Sequence, residues 1–185
     1  MSLPRAGASV PRAGTGPLAA VTSPVARPIA RSATLGRMRI LLQRVSRAEV
    51  RTDGTTIGAI DRGVVALVGV GHGDDAAIAD ALARRVAELR IFADEEGRTN
   101  RSLRDVSGAA LVVSQFTLYA DTRRGRRPGF TDAAEPALAE RLVERFVEAL
   151  RSLGVGVETG RFGAGMEVEL VNDGPFTIWL DSAAR

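Results

Sequence analysis

From residue 38 onward, apolar and polar positions follow two periods, one of two residues and one of three to four. The first marks a half-buried strand and the second an amphipathic helix. Residues 38–45 (MRILLQRV) and 48–52 read as strand, Asp53-Gly54 as a hairpin turn, and residues 55–60 as the return strand. Asp61-Arg62-Gly63 turns again, and residues 64–70 (VVALVGV) form a run apolar enough for a strand buried on both faces. The period then widens. Asp74 or Asp75 caps a helix that places Ile78, Leu82, Val86 and Leu89 on one face. A short strand at Ile91-Phe92 ends in the acidic turn 94–97, and a central strand runs over residues 109–119. A second helix starts near Glu135-Pro136, buries Leu138, Leu142, Phe146, Val147 and Leu150, and stops at Gly154. Three strands close the chain: 155–159, 166–171 (Met166, Val168 and Leu170 on one face) and 176–180. The tally of about eight strands and two long helices predicts an α/β layered domain in which sheet outweighs helix.

Residues 1–37 lack this patterning. They hold five of the eight prolines and five arginines (Arg5, Arg12, Arg27, Arg31, Arg37) and no acid. They read as a disordered extension ahead of a domain spanning 38–185, with Met38 as the expected true start of translation. An acid-free, arginine-bearing segment also resembles an organellar transit peptide, the less favoured reading.

Composition changes the picture in three places. There is no cysteine, which removes disulfides, thiolate metal sites and cysteine nucleophiles. All 25 basic residues are arginine, so lysine chemistry is absent too. The formal charge of +3 divides unevenly: residues 1–37 carry +5, leaving 20 arginines against 22 acids, or −2, in the remainder. Nucleic-acid contact therefore has to come from a local patch. No apolar run is long enough to span a bilayer, and a cytoplasmic protein without metal or cofactor is expected.

The patch lies directly after the central strand. Residues 111–130 (LVVSQFTLYADTRRGRRPGF) turn from apolar to small and polar at Ser114 and Gln115, then to a loop with Arg123, Arg124, Arg126 and Arg127 around Gly125. Guanidinium groups pair bidentately with phosphate, so the loop reads as a phosphate clamp or, more plainly, a solvated charged loop. Thr117 is a nucleophile by position, but no adjacent base is evident to activate its hydroxyl. Backbone N–H groups through Ser114, Gln115 and Phe116 offer an oxyanion hole that needs no titratable residue. His72, the single histidine, reads as a surface loop residue, and Asp121 as a solvated turn residue beside the arginines. Asn172-Asp173-Gly174-Pro175 reads either as a hairpin turn between the last two strands or as a backbone element built to approach a ligand.

Together these segments resemble the D-aminoacyl-tRNA deacylases, also called D-tyrosyl-tRNA deacylases. The matching residues are Met38-Arg39, Gln43-Arg44-Val45, Leu89-Arg90-Ile91-Phe92, Ser114-Gln115-Phe116-Thr117-Leu118, Gly125-Arg126-Arg127-Pro128, Glu158-Thr159-Gly160-Arg161-Phe162-Gly163 and Asn172-Asp173-Gly174-Pro175. The resemblance implies that family's fold, a homodimer with two interfacial sites, and hydrolysis of the ester between a D-amino acid and the 3′-terminal adenosine of tRNA. It implies that Ser114, Gln115, Phe116 and Thr117 line the catalytic pocket. Gly174 and Pro175, joined by a cis bond, would be a chirality gate supplied by the partner subunit, supported by Arg44 and Asn172. The arginine loop would hold tRNA, and the RNA's own 2′-hydroxyl would assist the chemistry. Two residues depart from the family pattern: Phe176 stands where valine is common, adding bulk behind the gate, and Gly129 where serine is frequent. The alternatives are a non-catalytic RNA-binding module using the arginine loop, and a related deacylase for other mischarged amino acids.

Overall fold

The structure, a computed structural model, describes residues 37–123 and 125–184. The expected disordered extension lies outside the described residues except for Arg37, whose carbonyl accepts a hydrogen bond from the Tyr119 hydroxyl.

Eight strands and two helices are present among the described residues, in the order β1 (Arg39–Thr52), β2 (Thr55–Ile60), β3 (Gly63–Gly69), α1 (Ala76–Glu88), β4 (Phe92–Ala93), β5 (Thr99–Arg101), β6 (Ala109–Ser114), α2 (Pro136–Ser152), β7 (Gly156–Thr159) and β8 (Glu167–Asp181). The main sheet runs β2-β1-β3-β6-β7, with β8 along the other side of β1. Ala48 faces Ile60 and Val45 faces Gly63, so β2 and β3 form one antiparallel arm against β1, interrupted only at Asp61-Arg62. The pairs β3–β6 and β6–β7 are parallel, each joined through a long connection containing one of the helices.

Two cores follow from side-chain alternation along these strands. Ile40, Leu42, Val64, Ala66, Ala110 and Val112 face the helices, where Leu82, Val86, Phe146 and Leu150 cover them. Phe146 and Leu150 are fully buried, each contributing roughly 1.5–3 kcal/mol. Val45, Val50, Val65, Leu111 and Val113 face the opposite side. There the sheet curls on itself until β2 meets β7: a Cβ placed on Gly58 would sit 3.0 Å from the Thr159 carbonyl.

Several sequence expectations change in detail. Residues 38–45 and 48–52 are a single strand, because β8 accompanies β1 over nearly its whole length. Asp75 is the helix cap, accepting from the Ile78 N–H at 2.9 Å. Asp74 is buried, and its carboxylate takes the Met38 and Gly71 N–H groups at 2.8 and 2.6 Å. The expected central strand 109–119 ends at Ser114, and Phe116–Tyr119 is one turn of 3-10 helix. Residues 166–171 and 176–180 belong to one continuous strand, β8, so Asn172 to Pro175 is no hairpin turn. It is an irregularity within a strand, and the Gly174–Pro175 bond is cis.

Candidate active site

Ser114 ends β6 at a bend. The Gln115 N–H still donates to the Val68 carbonyl at 2.7 Å, completing the ladder with β3. The 3-10 turn then starts its own bonding with Leu118 N–H to Gln115 O at 3.2 Å. The N–H groups of Phe116 and Thr117 fall between these two ladders, as the first donors of any helical turn do. Strand propensity in Phe116, Thr117 and Tyr119 predicted continued sheet. The turn wins because Tyr119 is anchored inward, its ring under the Arg39 guanidinium (4.5 Å) and its hydroxyl on Arg37. Burial raises the Tyr119 pKa, with the nearby Asp74 charge adding to it.

The bend opens onto an apolar cavity of about 450 Å3. Ser114, Gln115 and Phe116 line one part of it with Val68 and Val70, and Phe130, Phe162, Ala139 and the carboxylate-bearing Glu135 are among the other lining residues. Phe116 projects into solvent, 59% exposed, and meets Phe130 edge to face with centroids 4.9 Å apart. A second, more polar cavity of about 480 Å3 shares Ser114, Val143 and Phe162 with it and is bounded by Glu140, Glu144 and Glu148 of α2. Neither Phe130 nor Phe162 had a role in the sequence reading. Their signal was present, one directly after the arginine loop and the other in the Arg161-Phe162-Gly163 stretch, but only the folded chain brings them to Ser114.

Thr117 does not line either cavity. It is exposed, and its hydroxyl accepts a hydrogen bond from the Gln115 side-chain amide. Among the described residues no base is positioned on it. His72 is exposed elsewhere, with Nε2 at 2.9 Å from the Thr131 carbonyl.

The arginine loop is closed by reciprocal backbone bonds between Asp121 and Gly129, at 2.7 and 2.9 Å. Within it Arg123 is occupied: Nε and Nη2 each donate to the Asp121 carboxylate at 2.8 Å. That guanidinium holds the Asp121 carboxyl well below the usual carboxylate range. Arg126 and Arg127 are exposed and make no salt bridge among the described residues. Arg124 lies outside the described residues.

Gly174 and Pro175 are exposed on β8 and line neither cavity of their own chain. Arg44 and Asn172 do hold this segment. Arg44 Nε donates to the Asp173 carbonyl at 2.9 Å and lies 3.1 Å from its carboxylate, while Nη1 donates to the Ile91 carbonyl. Asn172 Nδ2 donates to the carbonyls of Arg44 (2.9 Å) and Phe176 (3.2 Å). A Cβ on Gly174 would fall 1.9 Å from the Phe176 nitrogen, so glycine is required here by the strand itself. The register separates the segment from Ser114. Asn172 faces Val45, Val45 faces Gly63 and Gly63 faces Ala109, whereas Ser114 faces Val68. Three strand spacings across and five residues along the sheet put the two roughly 20 Å apart in one chain.

No group of three or more His, Asp or Glu side chains among the described residues is arranged to hold a metal ion, and no helix among them is long and apolar enough to cross a membrane.

The sequence matches the family model described as D-Tyr-tRNA(Tyr) deacylase over residues 41–181. It is 66% identical over 146 residues to the D-aminoacyl-tRNA deacylase of Thermomicrobium roseum, covering 79% of this chain and 95% of the relative. It is 60% identical over 148 residues to the D-aminoacyl-tRNA deacylase of Paracoccus denitrificans, covering 80% and 99%. Among solved structures, the c-Myc DNA Unwinding Element Binding Protein superposes with a TM-score of 0.74 at 37% identity, covering 79% of this chain and 99% of that one. A probable eukaryotic D-amino acid tRNA deacylase superposes at 0.69 with 18% identity, covering 78% and 99%, a likeness of fold alone.

Proposed function

The chain belongs to the D-Tyr-tRNA(Tyr) deacylase family, and from that premise we propose that this enzyme, a D-aminoacyl-tRNA deacylase, removes D-amino acids from tRNA as a proofreading step of translation, by the following route. The observation that carries the reading is the cavity at the end of β6, which joins aromatic walls to a backbone bend and has Glu135 as the one titratable side chain among its described lining residues. The terminal adenosine enters along Phe116, Phe130 and Phe162, since base–aromatic stacking is worth about 1–3 kcal/mol per base. The ester carbonyl then lies against the N–H groups of Phe116 and Thr117 rather than the expected Ser114-to-Phe116 set, because the Gln115 N–H is taken by the Val68 carbonyl. Water adds to the carbonyl carbon, those amides stabilise the oxyanion, and the bond to the ribose 3′-oxygen breaks. The water's proton ends on the 3′-oxygen, with the RNA's 2′-hydroxyl as the nearest group to relay it. Such preorganised donors need no titratable side chain. This accounts for a pocket that places neither His72 nor Asp121 beside the reacting atoms.

The chirality gate is read as the partner's. The distance of roughly 20 Å within one chain keeps Gly174-Pro175 from its own pocket. β8 is an edge strand that exposes Val168, Val171 and Trp179, a surface suited to a second copy. A rigid backbone element that grips the amino group and leaves no room on the L side rejects L-substrates by a clash, whatever the side chain. Arg126 and Arg127 then approach the phosphates of the RNA.

Deacylation of D-Tyr-tRNA against L-Tyr-tRNA tests this directly, alongside light scattering. Selective hydrolysis by a dimer is expected. Binding of both tRNAs without turnover would replace the reading with a non-catalytic RNA-binding module, and an active monomer would remove the cross-subunit gate.

A further inference from the structure

The structure assigns a role to Phe176: we infer that it is a positioning residue, setting the plane of the Arg44 guanidinium and through it the placement of Asp173 to Pro175. The inference rests on the reading of Gly174-Pro175 as the gate. It departs from the sequence expectation, in which Phe176 adds bulk behind that gate.

Arg44 is used on both its edge and its face. The edge donates to the Asp173 and Ile91 carbonyls and pairs with the Asp173 carboxylate at 3.1 Å. The face lies over the Phe176 ring, with the guanidinium carbon 4.5 Å from the centroid. The Arg44 side chain is only 14% exposed, so little water competes for that face. The ring in turn is fixed. It packs against the helix-side core. Its own backbone is held by Asn172, whose Oδ1 accepts the Phe176 N–H at 3.3 Å and whose amide donates to the Phe176 carbonyl. The same amide reaches the Arg44 carbonyl. Arg44, Asn172 and Phe176 thus close a ring of contacts around Asp173, Gly174 and Pro175.

The ladder cannot replace this ring. Pairing between β1 and β8 changes register between Gln43 and Val45 and again between Val45 and Arg47, so Arg44 has no paired residue on β8. Side chains alone orient the segment at this level. A valine at 176 leaves the guanidinium without a π face and leaves the fork free to rotate about its stem, whereas an aromatic ring holds it flat.

The test uses the full-length chain and single-turnover deacylation of D-Tyr-tRNA and L-Tyr-tRNA, with circular dichroism confirming each fold. Phe176→Leu keeps apolar volume and removes the π face; Phe176→Tyr keeps the face. The ratio of D to L rates is expected to fall roughly three- to thirtyfold in Phe176→Leu, the range of a shielded cation–π contact, and to return in Phe176→Tyr. Arg44→Lys alone should lower the ratio at least as far as Phe176→Leu, because it removes the edge bonds to Asp173 as well as the face contact. Should Phe176→Leu not fold, Phe176→Met takes its place. A wild type that discriminates while the folded Leu or Met variant discriminates equally overturns the inference alone. Equal loss in the Leu and Tyr variants does so too, since packing then explains it. A wild type that hydrolyses both enantiomers at one rate removes the gate itself.

Discussion

If the arginine loop contacts tRNA as proposed, its charges should set how steeply tRNA affinity depends on salt. Four arginines occur between 123 and 127, but they are not equivalent. Arg123 and Asp121 form a bidentate pair with both bonds at 2.8 Å, a locally neutral unit with no counterion to displace. Arg126 and Arg127 are exposed and lack a salt-bridge partner among the described residues. Each phosphate neutralised steepens the dependence of log affinity on log salt by about 0.7 for single strands and about 0.9 for duplex. Replacing Arg126 and Arg127 by Gln should therefore flatten the slope by about 1.4–1.8. Over a fourfold rise in salt, from about 50 to about 200 mM, wild-type affinity should fall about seven- to twelvefold more than that of the variant. Removing Asp121 and Arg123 together as Asn and Gln should leave the slope nearly unchanged, whereas Asp121→Asn alone frees a cation and should steepen it. Fluorescence anisotropy of uncharged tRNA across a KCl series measures all four proteins. If the Asp121→Asn/Arg123→Gln double variant flattens the slope as much as the Arg126/Arg127 variant does, the assignment of free and engaged arginines is wrong.

Thr117→Ala should retain most deacylation, because its hydroxyl is held by Gln115 and lines neither cavity; a folded variant that binds tRNA yet is inactive would restore a side-chain nucleophile. Asp74→Ala should destabilise the domain by about 2–4 kcal/mol in urea titration, leaving two buried amides orphaned and offset in part by relief of the buried carboxylate. The Arg145 guanidinium depresses the Asp80 pKa. That pair's contribution is present above about pH 4 and lost as pH falls through the folded pKa, so Asp80→Asn should be less stable at neutral pH and equal to wild type in strong acid. Because both side chains are more than a third exposed, the difference should stay within about 1 kcal/mol. Finally, a chain beginning at Arg37 should keep activity and the Tyr119–Arg37 contact; loss of solubility or turnover would give residues 1–36 a role.

Most of the fold was legible because burial and period agree. Leu82, Val86, Phe146 and Leu150 fall on helical faces that are buried, and the run after Gly63 is a strand covered on both sides. Legibility failed where tertiary contacts outvote local preference. Residues 116–119 carry strand formers, yet Tyr119 is drawn inward by Arg39 and Arg37. Asn172-Asp173-Gly174-Pro175 has the composition of a turn, but the residues on both sides pair with the same strand, β1, which only the assembled sheet reveals. At the cavity, Ser114 and Gln115 were legible because their polarity breaks an apolar run. The aromatic walls were not, since Phe130 and Phe162 reach the cavity through topology rather than spacing.

The irregularity in β8 also acts as a phase shifter. Upstream, Leu170 faces the curled side of the sheet; downstream, Phe176 and Ile178 face the helices, although all three positions are even-numbered. Strict alternation would place them on one face, so the residues between Asn172 and Phe176 absorb the half-period that moves the chain from one core to the other. Adding or deleting a single residue there would turn half-buried Ile178 and buried Leu180 outward. The side chain of Asp173, 48% exposed, is under no such constraint. Insertions and deletions should therefore be excluded from this stretch by folding alone, before any substrate is considered, while substitutions at 173 are limited by the Arg44 pair rather than by burial.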